Sequence, residues 1–314
     1  MEQKLNQMTN LGAFLLKKLN SKLFYIFIGF ICALFFSCKT VSVQNQSQVN
    51  PLDLLDNKSA FYLALPASQD KNLVQKMILN NVSGITEKNA KEIAERTQMV
   101  YVGLNKSRKS TEVQLSANVN IPKFAISNIF TKKYGWQTLK IASESDNKKE
   151  YSVFEREDCT ISFPNEKIAV LGRDVPFMIQ KYDELSFDGQ LDNSDFESFA
   201  LNPSCYEWLN ENNGEVRFYA LKPQSFLRTL MGANLNFKLS YVKGSMVSDP
   251  KNDEQYLMNL EFEFKNSSLV LPAKSVLSLA FGLTNSEIYQ TSQTQLQIKN
   301  IKISKNQLYK LLVI

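Results

Sequence analysis

The 314-residue chain contains no histidine. Without an imidazole it cannot build Ser-His-Asp or Cys-His nucleophilic sites, His-ligated zinc, or the usual general base near neutral pH. Its 11 glycines include neither G-x-G-x-x-G nor G-x-x-x-x-G-K-[ST], so a Gly-rich phosphate-binding loop is missing as well. The sequence therefore predicts no cofactor and no metal, and it favours a non-catalytic protein over an enzyme.

The N-terminal segment has an apolar run that is too short to span a membrane. Leu23–Phe36 follows Lys17, Lys18 and Lys22, and precedes Ser37 and Cys38. The run is about 14 residues long, within the range of signal peptides and short of the roughly 20 that a transmembrane helix needs. A positive region, an apolar region, a small residue and a cysteine, in that order, indicate an export signal that ends at a modified cysteine.

Leu34–Cys38 resembles the lipobox of bacterial lipoproteins, in the relaxed form of spirochaetes and some Bacteroidetes. Leu34 lies four residues before Cys38 rather than three, and Phe35 and Phe36 are bulky. The resemblance implies that residues 1–37 are a signal peptide and that Cys38 carries a diacylglycerol thioether with a further acyl chain. Several acyl chains anchor a protein stably in a membrane. The alternative is a plainly exported protein with an incidental cysteine; the resemblance identifies no family for the rest of the chain.

Little net charge remains outside this signal. Residues 1–37 hold four of the 36 basic and one of the 31 acidic residues, which leaves a net charge of about +2. A nucleic-acid-binding protein would need a concentrated basic face. We therefore expect the membrane, through the anchor, and an envelope protein as partners, and no nucleic acid.

Two cysteines remain after Cys32 and Cys38 are assigned to the signal and the anchor. Cys159 and Cys205 form an even pair in an exported protein, so a disulfide between them is possible. Two buried free thiols are the alternative, because Cys159 falls within an alternating apolar run.

Repeated patterns predict an α+β fold of two tandem related units. A short apolar run ending in proline occurs at Phe61–Pro66 and again at Phe218–Pro223, and each is followed by helical spacing. Alternating strands at 112–120 and 256–264 each lead into an apolar residue and a proline that begin a helix. We expect each unit to be close to a ferredoxin-like β-α-β-β-α-β arrangement with a final helix.

These patterns divide the chain into five segments. Residues 1–37 are the signal peptide, and residues 38–55 are a lipidated N-terminus with a flexible, polar tether. Residues 56–182 form the first unit, 183–214 a partly helical connector rich in aromatic residues, and 215–314 the second unit.

Three functions are compatible with this sequence. The first is a lipid-anchored cell-envelope protein that acts as a non-catalytic binding or assembly module, with a protein partner in a groove between the units. The second is a periplasmic lipid or small-molecule carrier, which an apolar cavity between sheet and helices would favour. The third is a His-independent hydrolase or lyase, which a cluster of carboxylates in a cleft would favour.

Overall fold

The computed structural model of the chain describes residues 49–106, 111–144, 149–157, 159–186, 200–211, 213–231, 237–281 and 286–312. The predicted signal peptide, Cys38 and most of the predicted tether lie outside these ranges. Twelve strands and eight α-helices occur within them.

The strands are β1 Phe61–Pro66, β2 Thr97–Lys106, β3 Thr111–Val119, β4 Gln137–Ala142, β5 Glu150–Arg156, β6 Cys159–Asn165, β7 Ile168–Gly172, β8 Val216–Ala220, β9 Leu239–Asp249, β10 Asn252–Phe264, β11 Glu287–Gln290 and β12 Gln295–Ser304. The helices are α1 Lys71–Asn81, α2 Glu87–Glu95, α3 Lys123–Ile129, α4 Val175–Ser186, α5 Pro203–Asn210, α6 Pro223–Met231, α7 Val270–Phe281 and α8 Lys305–Leu312. The predicted α+β class is confirmed.

Local sequence determines where several of these helices begin. The Asp70 carboxylate accepts the backbone N–H of Leu73 at 2.9 Å and caps α1. At α8 the Ser304 hydroxyl accepts the Gln307 N–H, and the Gln307 side chain accepts the Ser304 N–H. This is the reciprocal capping box that the Ser-x-x-Gln spacing predicts.

All twelve strands form one antiparallel sheet in the order β11-β12-β10-β9-β8-β1-β2-β3-β7-β6-β5-β4. The two halves of the chain meet at the pair β1 and β8, in which Phe61 lies opposite Ala220 and Tyr62 opposite Tyr219. The two halves of the chain therefore share a single sheet, and Ser47–Ile314 forms one compact unit.

The sheet separates two hydrophobic cores, because successive side chains of a strand point to opposite faces. In β1, Leu63 and Leu65 face the first core, whereas Tyr62 and Ala64 face the second. The first core lies under the helices that contribute Leu73, Ala94, Ile126, Leu227, Leu277 and Leu308. The second core lies under α4, α5 and the N-terminal segment, which contribute Met178, Ile179, Cys205, Leu209, Leu52 and Leu54.

The predicted ferredoxin-like arrangement is wrong. In a split β-α-β unit, another strand separates the two strands that the helix connects. Here β1 and β2 pair directly, with Leu63 opposite Val102, although α1 and α2 lie between them in the chain. The two predicted units are also not separate, because β1 and β8 pair at their boundary.

The predicted tether and connector also need correction. Asn50 caps a 3₁₀ turn at Pro51–Leu54, where Leu52 and Leu54 are fully buried in the second core. Residues 49–55 are thus part of the folded body. In the predicted connector, α4 continues to Ser186 and α5 occupies Pro203–Asn210.

Candidate functional site

An apolar cavity lies between the helices α1 and α2 and the sheet. It has a volume of about 60 Å³, and its sheet side is built from β2, β3, β6 and β7. The lining residues are Val74, Met77, Ile78, Asn81, Val82, Ile93, Thr97, Val100, Leu115, Ala117, Val119, Phe130, Ile161, Phe163, Ala169 and Leu171. The cavity belongs to the first core and occupies the first half of the chain.

The cavity wall offers no polar group to a ligand. Its two polar side chains, Asn81 and Thr97, use their side-chain donors locally: Asn81 Nδ2 donates to the Met77 carbonyl and Thr97 Oγ1 to the Ile93 carbonyl, both at 2.8 Å. No titratable residue lines the cavity. This arrangement can hold hydrocarbon, but it cannot perform acid–base chemistry or pair with a charge.

Helix α1, which covers the cavity, is fixed at its N-terminus by Asp70. One oxygen of this buried carboxylate accepts hydrogen bonds from the Tyr256 and Tyr309 hydroxyls, each at 2.7 Å. Burial, and then the hydrogen bond to Asp70, raise the pKa of both phenols. The Lys76 ammonium lies 4.1 Å from the centre of the Tyr309 ring. The cover of the cavity is therefore attached to β10 and α8 in the second half of the chain.

A buried group of charges in the second core has a structural role. Arg173 pairs with the fully buried Asp56 at 2.8 Å, and the Lys181 ammonium donates to the Leu55 carbonyl at 3.2 Å. Burial lowers the pKa of Lys181, and the nearby Asp53 and Asp56 charges oppose that shift. These contacts hold the N-terminal segment against α4 rather than forming an open cleft, so they do not provide the carboxylate site that a hydrolase would need.

Two helices on the first-core side expose large apolar side chains. Phe124 on α3 is 69% exposed, and Leu271 and Leu279 on α7 are 67% and 82% exposed. The opposite side of α7 contributes Val270, Ala273, Leu277 and Phe281 to the core. Helix α7 is thus apolar towards solvent as well as towards the sheet. Among the described residues, the structure has no helix of the length and hydropathy needed to cross a bilayer.

The predicted disulfide is absent. Cys159 and Cys205 are free, buried thiols, and they belong to different cores on opposite faces of the sheet. Burial raises the pKa of Cys159 to about 11 and that of Cys205 to about 12. Of the two possibilities that the sequence left open, the structure has two buried free thiols. Cys38, the predicted lipidation site, lies outside the described residues, and its role stays a prediction.

The comparisons with known proteins agree with the fold and with the prediction of a lipoprotein. A family model described as outer membrane-associated lipoprotein TP0453 matches residues 46–309. The chain belongs to this family. Membership confirms the predicted location, a lipid-anchored protein of the cell envelope.

Solved structures of TP0453 share the fold. Crystal form I has a TM-score of 0.64 at 19% sequence identity, and the match covers 85% of this chain and 98% of that one. Crystal form III has a TM-score of 0.62 at 20% identity, with 84% and 98% covered. No curated protein sequence matches this chain.

The cavity of this TP0453-family chain was not located from the sequence. Its lining comes from two helices and four strands, so the residues that meet there are up to about 100 positions apart. Val74, Met77 and Ile78 follow helical spacing and form the inward face of α1. Nothing in their spacing distinguishes a face that packs tightly from one that leaves a cavity.

Proposed function

We propose that this protein is a lipid-anchored, non-catalytic module of the outer membrane that binds an acyl chain in the apolar cavity beneath α1 and α2. The observation that carries the proposal is the wall of this cavity, which combines aliphatic and aromatic side chains with no available polar atom. Of the three functions compatible with the sequence, the carrier requires such a cavity, whereas the hydrolase requires carboxylates in a cleft.

The energetics favour hydrocarbon over any polar ligand. Each methylene group transferred from water to this wall contributes about 0.8 kcal/mol. An unpaired polar group would instead lose its hydration without compensation. At about 60 Å³ the cavity admits only part of a long chain, so a longer chain must displace lining side chains. Met77 on α1 is suited to this, because an unbranched thioether changes its rotamer readily.

The exposed apolar residues support a position at the bilayer surface. Phe124, Leu271 and Leu279 are exposed to water in the structure, and side chains of this kind can lie among lipid headgroups and upper acyl chains. Lipidation of Cys38 would keep the protein close to that surface. We propose that α3 and α7 contact the membrane while the cavity holds the bound chain.

A duplication would explain the shared layout of the two halves. Each half begins with a strand, a helical segment, two paired strands and a further helix: β1 to α3 in the first half and β8 to α7 in the second. The helical segment is two helices, α1 and α2, in the first half and α6 alone in the second. Each half also ends in a helix, α4 or α8. We propose that the halves are related units joined through β1 and β8.

Photo-crosslinking tests acyl-chain binding with the full-length protein. The lipidated protein is reconstituted into phosphatidylcholine vesicles and illuminated with a photoactivatable fatty acid, and the labelled peptides are identified by mass spectrometry. We expect label on α1, β3 and β7. In Ala117→Leu, which fills the cavity from β3, the label in these elements should fall at least several-fold.

The matched control is Ala220→Leu. Ala220 is 1% exposed in the same core but does not line the cavity, so it adds the same volume elsewhere. Equal labelling of both variants and the wild type, or label confined to the exposed surfaces of α3 and α7, would contradict the cavity as the binding site.

A further inference from the structure

Arg156, at the end of β5, lies between two glycine turns. The α1–α2 turn contains Gly84, with φ +68°, and a Cβ there would be 1.7 Å from Arg156 Nη1. On the other side is Gly135, with φ +82°, where a Cβ would be 3.5 Å from Arg156 Nε. The guanidinium donates through Nη1 to the Tyr134 carbonyl. The missing side chain of Gly84 thus leaves room for the guanidinium, and Gly135 lies on its other side at ordinary contact distance.

This cation is adjacent to the cavity. Gly84 follows the lining residue Val82 by two positions, and the lining residue Phe130 precedes the 3₁₀ turn Lys132–Tyr134. The Phe130 ring packs 5.2 Å from the ring of Phe154, which precedes Arg156 by two residues in β5. The turns that hold Arg156 are therefore direct continuations of the cavity wall.

Three basic residues, Arg156, Lys132 and Lys133, lie in the segments that adjoin the cavity wall. The Arg156 side chain is 25% exposed, and its one described acidic partner is Glu157, 67% exposed, at 3.7 Å from Nε. Within the described ranges Arg156 Nη2 donates to no residue. Lys132 and Lys133 are exposed in the turn whose Tyr134 carbonyl accepts from Arg156, and neither makes an ion pair with a described residue. Three basic side chains are therefore carried by segments that continue the wall of an uncharged cavity.

We infer that Arg156, with Lys132 and Lys133, binds the anionic headgroup, a phosphate or a carboxylate, of the lipid whose acyl chain occupies the cavity. This rests on the proposed function. The cavity cannot accept a charge, so an anionic headgroup must remain at its margin. An arginine presents parallel N–H donors that fit carboxylate and phosphate oxygens, and charge-assisted bonds of this kind are among the stronger ones.

A comparison of two ligands with one chain tests the headgroup site. The full-length protein in phosphatidylcholine vesicles is titrated with a photoactivatable fatty acid and, separately, with the matching fatty alcohol. For each ligand we measure the concentration that gives half-maximal labelling of the cavity. The preference for the acid over the alcohol should fall about tenfold in Arg156→Gln. It should also fall in Lys132→Gln/Lys133→Gln, whose exposed side chains can change without loss of fold. The control Lys302→Gln, an exposed lysine on β12, should keep the wild-type preference.

The outcomes separate this inference from the function it rests on. If both ligands label the cavity and the acid preference is the same in all variants, the headgroup site is wrong and acyl-chain binding stands. If neither ligand labels the cavity of the wild type, both are wrong. A second titration with a photoactivatable lysophosphatidylglycerol identifies the source of the anion: tighter labelling than by the fatty acid assigns a phospholipid, and weaker labelling assigns a free fatty acid.

Discussion

Asp70 connects three elements that lie far apart in the chain. One of its oxygens caps α1, and the other accepts hydroxyl groups from β10 and α8, 186 and 239 positions away. The capping role follows from local sequence, because aspartate before a helical stripe is a strong start signal. The two tyrosine contacts could not be predicted, since they depend on how the halves of the sheet are joined.

Tyr256→Phe should lower the free energy of unfolding by about 2 kcal/mol, because it removes a hydrogen bond to a buried carboxylate. Tyr256 is fully buried, so little else changes. Urea denaturation followed by circular dichroism measures the effect. Tyr289→Phe, at an exposed hydroxyl on β11, is the control and should change stability by less than about 0.5 kcal/mol. A loss no larger than in the control would show that the Asp70 contacts are dispensable.

The raised pKa values of Tyr256 and Tyr309 predict that the folded protein loses stability in alkali. Burial, then hydrogen bonding to Asp70, raise the folded-state pKa of Tyr256 and Tyr309 above the ordinary value of 10.0. The folded state then holds these protons more tightly than the unfolded state. Their contribution is fully present below pH 10 and is lost as the pH rises further. Chemical denaturation at pH 8 to 11 should show this decline, and it should be shallower in Tyr256→Phe; a stability that rises with pH would contradict it.

Cys159 and Cys205 should resist thiol reagents in the native protein. Their raised pKa values, about 11 and about 12, and their burial keep both groups protonated and inaccessible. Alkylation followed by mass spectrometry should modify neither residue until denaturant is added, and then both. A disulfide-linked pair of peptides from the native protein would contradict the placement of these residues in separate cores.

At the scale of elements, α7 combines a buried face with an exposed apolar one. Leu271→Ser/Leu279→Ser should reduce binding of the protein to vesicles several-fold while leaving the melting temperature nearly unchanged, since both positions are exposed. The variants are made in a Cys38→Ala protein, which lacks the proposed anchor, so that co-sedimentation with vesicles measures the contribution of α7 alone. The control is Leu139→Ser on the edge strand β4, also exposed but far along the sheet. Equal binding of the two variants would contradict a membrane role for α7.

Elements were largely predictable because their signals are local. Alternation at Glu112–Asn120 predicted β3, and proline after an apolar residue predicted α3 and α7, which begin within two residues of the expected positions. Strand order was not predictable, because alternation says which face a residue occupies and not which strand lies beside it. The 3₁₀ turn at Pro51–Leu54 was missed because the polar residues before it indicated a tether.

At the scale of the whole molecule, pairing of β1 with β8 turns two halves into one structure. Phe61 of β1 stacks on Phe218 of β8 with ring centroids 5.6 Å apart, so the joint is packed as well as hydrogen-bonded. Both strands were recognisable in the sequence as short apolar runs with a proline at or shortly after their ends. The register of β1 against β8 could not be predicted, because it depends on how the two halves pack together.

The anchor is the other whole-molecule prediction. Cys38→Ala should remove the acyl chains and shift the protein from the membrane fraction to the soluble fraction at high salt, because one helix face binds a bilayer far more weakly than several acyl chains. Metabolic labelling with a palmitate analogue provides the readout. A variant that remains labelled and membrane-bound like the parent would show that Cys38 is not the anchor.

The most direct test of the central claim is native mass spectrometry of the full-length protein purified in mild detergent from its own membranes, followed by analysis of what dissociates. Acyl-chain binding predicts a reproducible lipid or fatty acid close to one per chain, and its loss in Ala117→Leu but not in Ala220→Leu. A protein without such a ligand, but with one envelope protein at near-stoichiometric yield, would contradict the account and identify an assembly module instead.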